Sequence, residues 1–121
     1  VLGSCNAQQH CVAHSDALYL IYTRRGANND HVFRHRAPLF IARVDEDRLC
    51  VLRDTEQIVM PETGLDLAGG FGVLDVNADE TWIVSSEMAF PKSRQDEPNR
   101  VLLAKIRWTQ RNELFIGSAG R

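Results

Sequence analysis

Apolar residues in this chain come in short runs, and none sustains helical spacing for three turns. The run "ALYLIYT" (17–23) is rich in the aromatic and β-branched residues that fit a pleated, half-buried surface. "PLFIARV" (38–44) opens on a proline, tolerated at a strand's first position because it owes the ladder no N–H. "RLCVLRD" (48–54) follows the tight link "DED", and "GFGVLDV" (70–76) follows the glycine-rich "LAGG". "TWIVSSEMAF" (81–90), "RVLLAKIRW" (100–108) and "NELFIGS" (112–118) complete the set. Many short strands separated by turn residues predict an all-β sandwich, barrel or propeller.

Internal repetition selects among these. "LYLIY" (18–22) aligns with "TWIVS" (81–85), "FIARV" (40–44) with "LLAKI" (102–106), and "LCVL" (49–52) with "LFIG" (114–117). The offsets are 63, 62 and 65, in one order along the chain. "QHCVAHS" (9–15) and "GFGVLDV" (70–76) supply the first strand of each copy. The chain therefore predicts two four-stranded antiparallel units, residues 8–55 and 69–118, of the kind that serve as propeller blades. The links between second and third strands, "RRGANNDHVFRHRA" and "MAFPKSRQDEPNR", are the long ones. In a blade they emerge beside the blade-to-blade link, with the tight turns at the other end. Two blades close no ring and would each leave an apolar face in water. The expectation is part of a longer propeller, or several identical chains assembled into one.

Composition bounds the rest. The 121 residues make one domain's worth, with 44% hydrophobic and 25% charged residues, as in ordinary globular proteins. A net charge of −2 gives no global basic field, so no nucleic-acid partner is expected. No apolar run approaches the ~18 residues that would point to a membrane-spanning helix. The chain carries no signal peptide and does not begin with Met, so it reads as a processed or trimmed piece whose compartment stays open, secretion and periplasm included. Of three cysteines, Cys5 and Cys11 either bridge or stay free, and Cys50 reads as a small core residue.

Candidate chemistry gathers at the first long link. Arg24, Arg25, Arg34 and Arg36 surround Asp30, His31 and His35. Guanidinium forks bind carboxylates bidentately, which suits an acidic sugar; the alternative is a solvated loop whose arginines pair with local carboxylates. In an extended segment Arg34 and Arg36 would share a face opposite His35. Glu87 ends a strand at the second long link, and with Asp30 it could form the carboxylate pair of a glycoside hydrolase, or simply pair an arginine. His10 and His14 mimic a metal spacing, but on a strand they lie about 13 Å apart, too far for one ion with ~2.1 Å bonds. No metal or other cofactor is expected. Asp16 and Asp79 stand in equivalent turns, where side chain-to-backbone bonding explains them. "GGFG" lacks the Lys and Ser/Thr of a phosphate loop. Trp82 reads as core; Trp108 ends its strand and is open between core and sugar platform.

The stretch "HSDALYLIYTRRGANNDHVFRHRAPLFIARVDEDRLCVLRDTE" (14–56) resembles the C-terminal blades of bacterial sialidase-like propellers of the BNR-repeat type, and "GGFGVLDVNADETWIVSSE" (69–87) is similar to the following blade. The Asp box of sialidases, S-x-D-x-G-x-T-W, is missing: the corresponding turns read "VDEDRL" and "WTQRNEL". The resemblance implies a part of a carbohydrate-active hydrolase acting on glycosidic bonds. Its acid, its Tyr/Glu nucleophile pair and its arginine triad would come from several blades, more than two blades can supply. On this expectation Asp30, His31 and Glu87 lie nearest the chemistry, and Arg24, Arg25, Arg34, His35 and Arg36 hold the sugar. The alternative expectation is a lectin-like propeller, built from several chains, that binds glycans without cleaving them.

Overall fold

A computed structural model of the protein describes residues 8–63, 66–88 and 100–116. These residues form eight strands: β1 (His10–His14), β2 (Ala17–Tyr22), β3 (Leu39–Asp45), β4 (Cys50–Val51), β5 (Gln57–Met60), β6 (Asp66–Asn77), β7 (Glu80–Met88) and β8 (Val101–Arg107). Two 3-10 turns, Phe33–His35 and Arg53–Thr55, are the only helical elements among the described residues. The fold is all-β and every strand pairing is antiparallel. The first sheet has the order β1-β2-β3-β4, with β5 also on β3; the second is β6-β7-β8.

The ladders repeat between the sheets. Leu20 faces Ala42, Ile21 faces Ile41 and Tyr22 faces Phe40 in the first; Ile83 faces Ala104, Val84 faces Leu103 and Ser85 faces Leu102 in the second. Each second strand is displaced by 63 residues and each third strand by 62, the offsets of the sequence repeat. For the first strands, His10 stands opposite Ile21 and Gly72 opposite Val84, so their offset is 62. Aligning 9–15 with 70–76 implies 61, one residue short. That strand pairs irregularly, with register shifts between Leu67 and Phe71 and between Asp75 and Asn77, so its sequence pattern is weak.

Alternation along the strands puts one face of each sheet against the other. Val12, Ile21, Leu39, Ile41 and Met60 of the first sheet and Ile83 of the second form the buried core, flanked by Phe71, Val73, Leu102, Ala104 and Ile106. Trp108 joins it, its ring centroid 4.3 Å from that of His14 and 5.1 Å from that of Tyr19. Its Nε1 donates to Thr81 Oγ1 at 2.9 Å, and that hydroxyl donates to Asp75 at 2.6 Å, so the polar atoms brought inside are satisfied. Trp82, expected in the core, lies on the opposite face with the Lys105 ammonium 4.8 Å from its ring centroid. The period of two, with Thr81 and Ile83 buried, sends Trp82 outward.

The four-stranded expectation is met in neither sheet. In the first, the fourth edge is broken in two. Thr55 Oγ1 accepts the N–H of Arg43 at 2.9 Å and donates to the Leu52 carbonyl at 2.6 Å. This side chain stands in for a ladder partner, and the 3-10 turn there parts β4 from β5. Met60 still belongs to the first sheet, which therefore runs past residue 55. In the second unit the chain after β8 turns back onto the β6–β7 turn, through Trp108 N–H to Asp79 O (2.8 Å) and Asn112 N–H to Ala78 O (2.7 Å). Residues 112–116 form no strand, and 117–118 lie outside the described residues. Cys50, expected in the core, is an exposed free thiol at the end of the β3–β4 turn; Cys11 is likewise exposed and free, and Cys5 lies outside the described residues.

The tight turns share one end of the molecule. Asn112, 3% exposed, accepts the Ser15 N–H on Oδ1 (2.8 Å) and donates to Ala13 O (3.1 Å), and His14 Nε2 lies 2.8 Å from Gln110 O. The turn after β1 is thereby tied to the turn after β8. The first long link, residues 23–38, lies at the other end, as do Met88 and Arg100, which bound the second; residues 89–99 lie outside the described residues.

Ile83 is fully buried between the sheets, whereas Ile58 is 57% exposed. Ile83→Ala is expected to cost about 2–5 kcal/mol in urea unfolding, and Ile58→Ala about 0.5 kcal/mol or less. Equal losses would contradict the face-to-face core.

Candidate functional site

The link from β2 to β3, residues 23–38, is folded as a compact lobe by one side chain. Asn29, 1% exposed, donates through Nδ2 to Arg24 O (2.9 Å) and Ala37 O (2.8 Å), and its Oδ1 accepts the Ala27 N–H (3.3 Å). Val32 and Ala37 anchor the lobe by burial in the core. Between them the chain tightens, Val32 N–H to Asn29 O at 3.0 Å and His35 N–H to Val32 O at 3.0 Å. Residues 33–35 are thus a turn, not the extended strand entrance expected from the sequence. Arg34 (φ 54°) and His35 (φ 52°) both occupy the left-handed region. Each such non-glycine residue costs on the order of 1–3 kcal/mol, and strain of this kind clusters at functional sites.

The turn displays a small constellation. The guanidinium carbons of Arg34 and Arg36 lie 5.0 and 5.6 Å from the Phe33 ring centroid. Neither arginine pairs with a carboxylate among the described residues. Arg36 Nε and His35 Nδ1 are buried without a hydrogen-bond partner. His35 Nε2 lies 3.1 Å from Asp30 Oδ1, and the Asp30 side chain is 95% exposed.

His31 leads from this lobe to the second sheet. Its Nε2 lies 3.2 Å from Glu62 Oε2, and the next residue, Thr63, donates its hydroxyl to Glu87 Oε1 at 2.5 Å. Glu87, with no exposed side-chain surface, is gripped by Arg100 through Nε to Oε2 (2.6 Å) and Nη2 to Oε1 (3.1 Å). The Arg100 hydrogen bonds hold the Glu87 carboxyl below the usual carboxylate range; burial opposes them and the Thr63 hydroxyl assists. The sheet-to-sheet link 61–63 therefore touches both the first lobe and the β7–β8 end. Asp30 and Glu87 stand at opposite ends of this series of contacts, and no direct contact joins them.

Arg24 is committed elsewhere. It grips Glu56 through Nη2 to Oε1 (2.6 Å) and Nε to Oε2 (2.9 Å), and its guanidinium lies over Phe40. The Tyr22 hydroxyl donates to the same carboxylate, and Arg53 Nε lies 3.4 Å from it. The Arg24 hydrogen bonds lower the Glu56 pKa, while burial and the Glu56 carboxylate drive the Tyr22 phenol upward. A raised phenol in a fully buried ring is the reverse of an activated nucleophile. This trio ties the β2 end to the segment after the second 3-10 turn. Arg25 is exposed at the start of the lobe.

Phe33, Asn29, Glu56, Glu62, Thr63 and Arg100 were not singled out from the sequence. Phe33 alone carried a signal, as an aromatic residue set among arginines. The partners of Arg24 and Glu87 are distant in sequence and share no motif with them. His10 and His14 both face the second sheet, where Phe71 and Trp108 pack on them. At the tight-turn end a cleft of about 490 Å3 is lined by Ser15, Asp16, Gln110, Arg111 and Glu113. Hydrogen bonds join the two turns beside it, such as Glu113 N–H to Ser15 Oγ (3.1 Å).

No protein-family model matches this chain, and no curated protein or solved structure matches it.

Two expectations follow. Asn29→Ala leaves two carbonyls without a donor and should lower stability by about 1–3 kcal/mol, with new protease cleavage between residues 24 and 36. Glu87→Gln should cost about 2–3 kcal/mol, less than breaking a fully buried pair because Arg100 is 56% exposed. Because the folded pKa of Glu87 is depressed, its ionic contribution is complete above the unfolded value of about 4.3 and fades as pH falls through the folded one. Glu87→Gln should therefore flatten the acid limb of stability against pH. An unchanged limb would show that the Arg100 pairing adds nothing.

Proposed function

We propose that this chain is a glycan-binding portion of a sialidase-like β-propeller, and that the Phe33–Arg36 turn holds a carboxylate-bearing sugar without hydrolysing it. The observation that carries the proposal is the pair of guanidinium groups against Phe33, neither neutralised by a carboxylate among the described residues. A sugar carboxylate supplies the missing acceptor for Arg34 and Arg36. Asp30, His31 and His35 add donors and acceptors for hydroxyl groups. The strained turn supports the same conclusion, since the protein maintains Arg34 and His35 in a costly backbone conformation.

Binding is favoured over hydrolysis by the state of the carboxylates. A glycosidase acid must hold its proton near neutral pH. Glu87 is held ionised with both oxygens occupied, and no contact brings Asp30 to it as the second carboxylate of a pair. The blade assignment draws on three features: matched antiparallel ladders, face-to-face packing of successive sheets, and the first long link at the end opposite the tight turns.

Titration calorimetry with N-acetylneuraminic acid, galacturonic acid and galactose tests the proposal. The acidic sugars should bind and the neutral one should bind at least tenfold more weakly. Arg34→Ala or Arg36→Ala should weaken acidic-sugar binding about tenfold, the loss of one charge-assisted bond. Arg34→Gly should weaken binding equally while raising stability by up to about 1 kcal/mol, because glycine relieves the positive φ. Equal affinity for acidic and neutral sugars, or no binding, would overturn the proposal. Turnover of a fluorogenic glycoside that disappears in Glu87→Gln would establish the hydrolase instead.

A further inference from the structure

One half of the outer face of the second sheet is apolar and uncovered by any described residue; the other half carries Trp82 under Lys105 and the Glu80–Arg107 pair. Leu74 is 63%, Val84 42%, Val101 74% and Leu103 47% exposed. A shallow trough of about 330 Å3 runs along the same sheet beside Gly70, Gly72, Val84 and Val101. Four large apolar side chains on one sheet face are more than scattered surface hydrophobics.

The repeat says what such a face is shaped to meet. The ladder offsets make Leu74, Val84, Val101 and Leu103 the counterparts of Val12, Ile21, Leu39 and Ile41. Those four residues are 3%, 0%, 0% and 9% exposed because the second sheet lies on them. The same positions are thus covered in one unit and bare in the other. In the covered case the partner presents Val73, Ile83, Leu102, Ala104 and Ile106. Their counterparts in the first unit are Cys11, Leu20, Phe40, Ala42 and Val44, on the outer face of the first sheet. Phe40 (4% exposed) and Ala42 (1%) are already buried there, clustered with Tyr22 and with the Arg24 guanidinium over Phe40, so the open part of that face is Cys11 with half-buried Leu20 and Val44. One chain therefore carries one half of that interface bare and, along Cys11, Leu20 and Val44, the open part of the other.

We propose that the outer face of the second sheet docks the outer face of the first sheet of another copy of this chain. The contact is head to tail. Its two surfaces differ, so it must repeat until a ring closes or a filament grows. At two sheets per chain, a ring of the usual four to eight units contains about two to four copies. The proposal does not depend on sugar binding, and its failure is read by mass, not by ligand.

Analytical ultracentrifugation of the wild-type chain over a range of concentrations, with two single-face variants, tests it. Leu103→Glu spoils the second-sheet face and Cys11→Arg the first-sheet face; urea midpoints must show that both still fold. The wild type should form a closed species of two to four copies, each variant alone should be monomeric, and an equimolar mixture of the variants should form one-to-one pairs, since one intact face remains on each. A monomeric wild type at every concentration would overturn the proposal. So would a dimer that persists in Cys11→Arg, because that marks a back-to-back contact between two second sheets. Should Leu103→Glu fail to fold, Val84→Glu occupies the neighbouring strand of the same face and gives the same readout.

Discussion

The burial of one sheet's apolar face on the next is the interaction the rest of this structure depends on. A single three-stranded sheet such as β6-β7-β8 has no second layer of its own on which to bury its apolar face. Its hydrogen bonds satisfy the backbone but leave both faces to be covered. Ile83, Leu102, Ala104 and Ile106 find cover on Val12, Ile21, Leu39 and Ile41. Each fully buried aliphatic side chain contributes roughly 1.5–3 kcal/mol, more than surface ion pairs of the kind formed by Arg107 and Glu80. Polar groups that enter this layer do so in satisfied sets, as with Asp75, Thr81 and Trp108.

That packing also positions the rim. The link 61–63 leaves the first sheet and must reach the second, so it passes the ends of both. Glu62 meets His31 on one side and Thr63 meets Glu87 on the other. The buried Glu87 carboxylate is tolerable because Arg100 and Thr63 satisfy it, and it holds the β7 end to the β8 start. Arg24 and Glu56 do the same at the far side of the lobe. Two arginines are thus spent on structure, and two, Arg34 and Arg36, stand against an aromatic ring with no protein carboxylate on them among the described residues.

What the sequence revealed was what alternation and repetition encode. The all-β class and the pairing of 18–22 with 40–44, mirrored by 81–85 with 102–106, were legible because each strand alternates and the two copies share an order. The edge strands were not legible. Whether residues 49–60 form one strand or two is decided by the Thr55 hydroxyl taking a ladder position, a single side chain in a context no pattern reports. Cys50 looked like core because its neighbours are apolar, but it lies at the end of a turn. Trp82 reads as core from its apolar neighbours in "TWIV", but the strand's parity, with Thr81 and Ile83 inward, sends it to the outer face. In the rim the residue types were visible, but not their partners: Arg24 and Glu56 are far apart in sequence, and the turn at 33–35 runs against an extended reading of "FRHR".

Native-state hydrogen exchange tests the dependence of each sheet on the other most directly. If the shared layer stabilises both, the slowest amides of β2 and β3 and those of β7 should exchange with one common free energy. That value should fall equally in both sheets when Ile83 is shortened to alanine. Separate free energies for the two sheets, with the loss confined to β7, would contradict the account.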